Sequence, residues 1–241
     1  MKTIAVYNLK GGVGKTTFAV NFAWASANIS RRRTLLWDLD PQSAATHFLT
    51  DDPPVPGTPL QVFEKGVKPE KLARPSRFDG IDVIAADFSL SGLDRLLFEI
   101  GKKKRLVKLL EGLQDRYDRV ILDCPPGLGE VAEHILRSAD IVIVPVIPST
   151  LSHRAFEQVV HFLNSAKGQS TSLLPVHSMV DRRRTLHREA LVAHPDWPVI
   201  PMASVIEQMA AHRAPIGAFA PGSPSARAFA QLWTAIERKI A

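Results

Sequence analysis

The chain has 241 residues, of which 45% are hydrophobic and 22% charged, a length and balance that suit a large α/β domain. Its single cysteine, Cys124, excludes an internal disulfide framework and is typical of a protein of the reducing cytoplasm. The sequence opens on a strand pattern and contains no apolar run of about 20 residues, so we expect neither a signal peptide nor a membrane span. The formal charge of +6 is modest, so the positions of the basic residues matter more than their number.

The first part of the chain contains its most informative segment, residues 10–17, with the sequence KGGVGKTT. The apolar run 3–7 before it predicts a buried strand, and apolar residues spaced three or four apart after it predict a helix through about Asn28. In a strand, glycine loop and helix of this kind, backbone N–H groups and the helix N-terminus converge on one point and bind phosphate. A glycine turn without a ligand is the alternative, but it leaves two lysines and two hydroxyls unexplained.

A pair of carboxylates follows the next predicted strand, residues 34–37. Asp38 and Asp40 stand at alternate positions, so we expect both side chains on one side, at the carboxyl end of the sheet where α/β proteins bind ligands. Two negative charges beside a phosphate site repel the ligand unless a cation or a reacting water lies between them. The alternative is a strand-end turn closed by Asp40 and Pro41.

The middle of the chain begins with residues 51–59, whose four prolines and one glycine predict an exposed loop. We do not take this loop as a domain boundary, because predicted site residues lie on both sides of it. Residues 1–241 are therefore expected to form a single domain. Beyond the loop, the patterns predict helices at 60–66, 90–98 and 106–113, a strand at 81–85, and a basic surface segment at 102–105.

A third acidic position ends the short apolar strand predicted at 120–122. Asp123 stands where a Walker B carboxylate holds Mg²⁺ through water. The Pro-Pro-Gly sequence of residues 125–127 first restricts the backbone and then frees it, as a loop that senses a γ-phosphate requires. Cys124 lies within this motif, but no base with a supporting motif accompanies it, so we predict a small buried residue.

The last third of the chain continues the alternation of strands and helices. It predicts a mainly parallel twisted sheet with helices on both faces and with the phosphate loop after the first strand. Near the carboxyl end, apolar residues form one helical stripe, for which packing on the sheet is favoured over membrane binding. The predicted strands are 141–147, 173–180 and 199–201, the helices are 152–165 and 227–241, and the stripe consists of Phe229, Leu232, Trp233, Ile236 and Ile240.

The phosphate loop resembles a known family motif. It departs from the general pattern G-x-x-x-x-G-K-[ST], because Leu9 stands where the first glycine belongs. It is instead similar to the deviant Walker A motif of the ParA/MinD family of ATPases. The resemblance implies that Lys15 contacts the β- and γ-phosphates, that Thr16 ligates Mg²⁺, and that Lys10 reaches the partner's phosphates across an ATP-sandwich homodimer. The residues it assigns to ATP are Gly11, Gly12, Val13, Gly14, Lys15, Thr16, Thr17, Met179 and Pro201.

Two further segments resemble motifs of the same family. Residues 38–42 are similar to the D-x-D-P-Q of switch I, and residues 123–126 to the D-x-P-P of switch II. The resemblance implies that Asp40 orients the attacking water and that Asp38 lies in or next to the Mg²⁺ shell. Asp123 would hold the metal through water, while Met179 and Pro201 would border the adenine.

The family resemblance implies a Mg²⁺-dependent ATPase of the ParA type. Its ATP-bound homodimer would bind nonspecific DNA, and hydrolysis, stimulated by a partner protein, would release the DNA and so position a cargo. The cargo, whether plasmid or chromosome DNA or a protein cluster, is not specified, and the expected location is cytoplasmic and nucleoid-associated. The alternatives are a MinD-like membrane-cycling ATPase and a scaffold that binds ATP without useful turnover. A single cysteine excludes an iron–sulfur member.

One part of the family pattern is missing. Many partition members carry basic residues directly after the Ile-Pro of residues 200–201, where this chain has Met202, Ala203, Ser204 and Val205. The chain also lacks an amino-terminal helix-turn-helix extension, so specific operator binding is not expected. DNA contacts would be to backbone phosphates and weakened by salt. The candidates are Arg182, Arg183, Arg184, Arg188, Arg213 and Arg227, with Arg238 and Lys239 beyond them.

Overall fold

One eight-stranded sheet runs through the computed structural model, which describes residues 1–52, 54–101, 105–165 and 171–240. The order of the strands is β3-β4-β2-β5-β1-β6-β7-β8, and every neighbouring pair is parallel except the short edge pair of β3 and β4. The predicted fold class is therefore confirmed. The strands are β1 Lys2–Val6, β2 Thr34–Asp38, β3 Arg74–Pro75, β4 Ile81–Ile84, β5 Arg119–Asp123, β6 Ile141–Val146, β7 Ser172–Val180 and β8 Val199–Pro201.

Helices cover both faces of this sheet. Successive side chains of β1 alternate between two cores: Ala5 packs with residues of α4 to α7 on one face, and Ile4 packs with α1, α9 and α11 on the other. The helices are α1 Lys15–Asn28, α2 Ala44–Leu49, α3 Thr58–Glu64, α4 Leu93–Ile100, α5 Arg105–Glu111, α6 Glu130–Ser138, α7 Thr150–Ser165, α8 Thr185–Ala193, α9 Ser204–His212, α10 Ile216–Phe219 and α11 Pro224–Ile240, with 3₁₀ turns at Pro69–Lys71 and Phe88–Gly92.

The predicted elements lie within a few residues of their observed positions, but several elements were not predicted. The apolar strands are found because continuous β-branched runs are typical of strands covered on both faces. Five helices were not predicted: α2, α6, α8, α9 and α10. They are short and have mixed composition, so their stability comes from packing. Pro53, within the predicted loop 51–59, and residues 102–104 of the predicted basic segment lie outside the described residues.

The carboxyl-terminal stripe packs on the helix that follows the phosphate loop. Trp233 and Ile236 are fully buried. The ring of Phe229 packs edge-on against Phe18 with a centroid distance of 5.2 Å, and Trp233 lies 5.8 Å from Phe22. The prediction of core packing is confirmed, and the stripe is not available to a membrane. Within the described ranges, no helix combines the length and apolarity that crossing a bilayer requires.

A buried histidine on α6 makes stability depend on pH. His134 is 2% exposed, and neither of its ring nitrogens has a hydrogen-bond partner among the described residues. Burial lowers the pKa of His134 below its ordinary value of about 6.5. The unfolded chain therefore takes up a proton before the folded chain does, and the free energy of unfolding falls as the pH drops through that value.

We predict that His134→Phe removes one contribution to the loss of stability at low pH, so that between about pH 8 and about pH 5 the free energy of unfolding falls less, or rises more, in the variant than in the native protein. Phenylalanine fills a similar volume but does not titrate, so only the contribution of His134 is lost. Denaturant unfolding of both proteins at several pH values measures the difference. Identical slopes for the native protein and the variant would show that His134 does not contribute.

Candidate nucleotide site

The site forms where three adjacent parallel strands end together. Strands β2, β5 and β1 are neighbours, and Asp123 is in register with Asp38 on one side and with Val6 on the other. Ligand sites of open α/β sheets lie beyond such carboxyl ends. A cavity of about 550 Å³ opens there. Its lining includes Gly11, Gly12, Gly14, Lys15, Thr16, Thr17, Asp40, Asp94, Pro125 and Pro126.

The glycine loop has a backbone conformation that favours glycine. Gly12 has a φ of 73° and Gly14 a φ of 95°, both in the left-handed region. Two side chains fix the loop from below: Ser178 Oγ donates to the carbonyl of Val13 at 2.8 Å, and Asn8 Oδ1 accepts from the Lys10 N–H at 2.9 Å. The loop is therefore a preorganised row of amide groups at the cavity wall.

The helix that follows the loop presents its positive end to the cavity. Helix α1 begins at Lys15 and has no acidic residue in its first turn, so its N-terminal N–H groups are free to bind an anion. Lys15 Nζ donates to the Lys10 carbonyl at 3.1 Å. Burial lowers the pKa of Lys15, and nearby Asp123 opposes that shift. The loop, the helix end and the ammonium group together suit a polyphosphate.

Asp123 is a buried carboxylate without a hydrogen-bond donor. It is 0% exposed, and in the described ranges neither of its oxygens accepts a hydrogen bond in good geometry. Burial and the neighbouring Asp38 raise its pKa well above the usual range, while the nearby Thr16 hydroxyl and Lys15 oppose this shift. A buried carboxylate in this state is stabilised by a cation or bound water. Oxygen ligands suit Mg²⁺, so Asp123 and Thr16 fit a hydrated magnesium ion bound with a nucleotide.

The side chains of Asp38 and Asp40 have different surroundings. This differs from the expectation that both lie on the same side of the strand. Asp38 is fully buried, and its oxygens accept hydrogen bonds from the Thr46 amide and hydroxyl, at 2.9 and 2.7 Å, and from the Asp40 amide. Strand β2 ends at Asp38, so the alternation does not reach Asp40, which lines the cavity. Burial raises the pKa of Asp38 to about 6. This arrangement favours a supporting position for Asp38 rather than direct metal contact.

Lys10 has a contact within its own chain. Its Nζ lies 3.4 Å from the hydroxyl of the buried Ser152, at the start of α7. The distance is long for a hydrogen bond and the side chain is only half-buried, so the ammonium group can move to another acceptor. The predicted reach to a partner's phosphates stays a prediction.

The residues assigned to adenine lie apart from the phosphate cavity. Met179 has a φ of 55°, and its Cε packs beneath the loop, 3.5 Å from where a Cβ on Gly14 would be. Neither Met179 nor Pro201 lines the phosphate cavity. A second cavity of about 480 Å³ lies at the ends of β7 and β8, bounded by Val180 and Met202. The adenine assignments stay predictions.

Cys124 and His153, which lies on α7, are packing residues. Cys124 is fully buried, and burial raises the pKa of its thiol, so it presents no thiolate for nucleophilic chemistry. His153 stacks against His194 and Trp197. No cluster of three or more possible metal ligands from His, Cys, Asp and Glu occurs in the part of the chain that the structure describes.

The arginine turn after β7 combines paired and unpaired side chains. Arg183 forms an ion pair with Asp181 at 2.9 Å, and Arg188 donates to the carbonyls of Arg182 and Arg183. The side chains of Arg182 and Arg184 are exposed and make no hydrogen bond or ion pair with any described residue. Of this turn, Arg182 and Arg184 are therefore the most available to an external anion.

Arg213 and Arg227, two other candidates for DNA contact, bind groups of their own chain. Arg213 donates to the His47 carbonyl at 2.8 Å and pairs with Asp51 at 2.8 Å, so it joins the end of α9 to α2. Arg227 donates to the Gly222 carbonyl at 2.5 Å. Their guanidinium groups already have partners, which makes them weaker candidates than the arginines after β7.

Sequence reasoning missed the residues that support the site from a distance. Asn8 and Ser178 fix the phosphate loop, and Thr46 holds Asp38. Tyr7 contacts the loop after Asp123, and Asp94 contacts the first turn of the helix that follows this loop. Tyr7 and Asn8 lie just before the glycine loop in the sequence, so their position alone indicated that they lie near the site. The other three are brought to the site only by tertiary folding.

Comparison with known proteins identifies the family. A family model described as an AAA domain matches residues 1–176. The chain is 34% identical over 168 residues to the sporulation initiation inhibitor protein Soj of Bacillus subtilis, and 31% identical over 197 residues to the chromosome partitioning protein ParA of Caulobacter vibrioides. The chain belongs to the ParA/MinD family of ATPases. The family prediction is thus confirmed.

The alignments of this ParA/MinD member differ in extent. The match to Soj covers 69% of this chain and 65% of Soj, just under two thirds of that relative, and the match to the Caulobacter ParA covers 78% and 73%. Among solved structures, cobyrinic acid a,c-diamide synthase from Mycobacterium smegmatis, with a bound ATP analogue and magnesium, is 30% identical with a TM-score of 0.79. That likeness covers 99% of this chain and 95% of the other.

We predict that Lys15→Ala weakens the binding of Mg-nucleotide by about a hundredfold, because an ammonium–phosphate contact in a partly buried site is a strong, charge-assisted interaction. Titration with a fluorescent ATP analogue measures the affinity. Lys65→Ala removes an exposed lysine just after α3 and serves as the matched control. Unchanged affinity in the Lys15 variant would contradict the assignment of the cavity.

Proposed function

We propose that the chain is a Mg²⁺-dependent ATPase that acts as an ATP-bound homodimer, with residues 1–241 forming a single domain. The observation that carries the proposal is the cavity lined by Lys15, Thr16 and Asp40, beside the buried carboxylate of Asp123, which accepts no hydrogen bond in good geometry from any described residue. The Mycobacterium smegmatis structure with a bound ATP analogue and magnesium supports the choice of ligand.

Binding is assigned to the glycine loop and the start of α1. The N–H groups of residues 11–16 surround the β-phosphate, and Lys15 places a positive charge between the β- and γ-phosphates. Thr16 would supply its hydroxyl to Mg²⁺, and Asp123, supported by Asp38, would hold the metal through water. Bound Mg²⁺ supplies charge neutralisation at the phosphate oxygens.

Hydrolysis is assigned to Asp40. Its carboxylate lines the cavity, accepts the Gln42 amide at 2.9 Å and keeps further lone pairs free, so it can hold the attacking water in line with the γ-phosphate. Lys10 completes the site in the dimer: its ammonium leaves Ser152 and stabilises the charge that develops on the partner's phosphates. The intrinsic rate is expected to be slow until a partner protein stimulates it.

DNA binding and cargo positioning follow from the same cycle. The homodimer brings together two copies of the turn that exposes Arg182 and Arg184, which favours contact with backbone phosphates. Partner-stimulated hydrolysis separates the subunits and releases the DNA, which would position plasmid or chromosome DNA or a protein cluster on the nucleoid in the cytoplasm. The burial of the stripe on α11 argues against the membrane-cycling alternative.

We predict that Asp40→Ala lowers the rate of ATP hydrolysis by about a hundredfold while ATP still binds, because positioning of the water is lost and the phosphate contacts are kept. The variant should accumulate as an ATP-bound dimer in size-exclusion chromatography. Asp52→Ala, at an exposed acidic position outside the cavity, is the matched control. A normal rate of ATP hydrolysis in the Asp40→Ala variant would show that Asp40 does not position the attacking water.

We predict that DNA binding requires ATP and falls steeply with salt, because counterions are released from the phosphates that the protein neutralises. Replacing Arg182 and Arg184 with alanine should weaken binding by about tenfold, whereas Arg95→Ala, at an exposed arginine on α4, should not. Co-sedimentation with DNA and with liposomes, in ATP, ADP or no nucleotide, measures both. Binding to liposomes with ATP would instead favour the membrane-cycling alternative.

A further inference from the structure

The loop between β5 and α6, residues 124–129, leads into a helix that lacks its own cap. We call this segment the proline loop, and its Pro125 and Pro126 line the phosphate cavity. Helix α6 follows directly, with Gly129 at the capping position and no side-chain cap from the loop itself. The first N–H groups of such a helix need an acceptor from elsewhere.

Asp94 supplies that acceptor from another helix. Its Oδ1, on α4, accepts a hydrogen bond from the Val131 amide at 2.9 Å. A Cβ on Gly129 would lie 2.2 Å from the same oxygen, so the carboxylate can approach this closely only because position 129 is a glycine. A carboxylate at a helix N-terminus is favourable for both charge and hydrogen bonding. Asp94 also lines the phosphate cavity.

Tyr7 holds the proline loop at a second point. Its ring is buried just beyond β1, and its hydroxyl donates to the Gly127 carbonyl at 2.5 Å. Gly127 has a φ of 111°, a backbone conformation that favours glycine. Burial raises the pKa of Tyr7, so the phenol keeps its proton and remains a donor.

We propose that Asp94 and Tyr7 are positioning residues that clamp the proline loop against the phosphate cavity. The clamp joins the loop to α4 on one side and to the end of β1 on the other. The inference rests on the proposed ATPase function, because the clamped loop lines the cavity in which ATP would be hydrolysed. Loss of the contacts made by Asp94 or Tyr7 slows ATP hydrolysis. The affinity for nucleotide stays the same, because it depends on Lys15 and the glycine loop.

Three variants test the clamp in the full chain. Asp94→Ala removes the acceptor and should lower kcat by about tenfold, the effect of one charge-assisted hydrogen bond, with KM within about twofold. Asp94→Asn keeps an oxygen that can accept the Val131 amide and should recover most of the rate. Tyr7→Phe keeps the buried ring, removes only the hydroxyl, and should lower kcat by several-fold.

A second measurement does not depend on activity. Amide hydrogen exchange of residues 127–133 without nucleotide should be faster in Asp94→Ala and Tyr7→Phe than in the native protein, and close to native in Asp94→Asn. If Asp94→Ala does not fold, as judged by thermal unfolding, Tyr7→Phe and Asp94→Asn decide the result.

The outcomes separate the clamp from the proposed function. Native kcat in Asp94→Ala or Tyr7→Phe, or an equal loss in Asp94→Asn and Asp94→Ala, would overturn the clamp. If the native protein binds Mg-ATP but does not hydrolyse it, the proposed function fails. Exchange then decides the clamp alone: faster exchange in Tyr7→Phe and Asp94→Ala supports it, and unchanged exchange overturns it.

Discussion

The nucleotide site depends on one constraint, the common level at which β2, β5 and β1 end. Because Asp123 is in register with both Asp38 and Val6, the chain must place two carboxylates next to each other beneath the phosphate loop. A buried carboxylate without a donor costs about 1–3 kcal/mol or more, and the neighbouring Asp38 increases that cost. A cation beside these two side chains would offset this cost, so the binding of a metal-bound nucleotide is linked to the stability of the sheet.

Asp38, the last residue of β2, and Asp40, just beyond it, have different surroundings although they belong to one short motif. Asp38 is surrounded by donors from Thr46 and Asp40, which fix the start of the loop, while Asp40 faces the cavity. The same division recurs after β5, where Asp123 faces the loop and helix α6 is capped by Asp94. In both places a side-chain hydrogen bond holds the backbone next to the cavity.

The sequence allowed the sheet and the phosphate site to be predicted, since both are encoded locally. The glycine loop needs only its own residues to adopt its shape, and β-branched runs mark buried strands wherever they occur. The supporting contacts could not be predicted, because Ser178 lies 165 residues from Val13 and Asp94 lies 37 residues from Val131. The separation of Asp38 and Asp40 was missed because strand alternation was extended to Asp40, beyond the end of β2 at Asp38.

The packing of α11 on α1 has a consequence for the order of events during synthesis. Trp233 donates to the hydroxyl of Ser30 across a separation of 203 residues, and Phe229 packs on the helix that begins at Lys15. On the ribosome, the helix beneath the phosphate loop is made early but stays partly uncovered until α11 has emerged. Nascent chains would therefore become competent for nucleotide only late, and shortening α11 would loosen a pocket that it never touches.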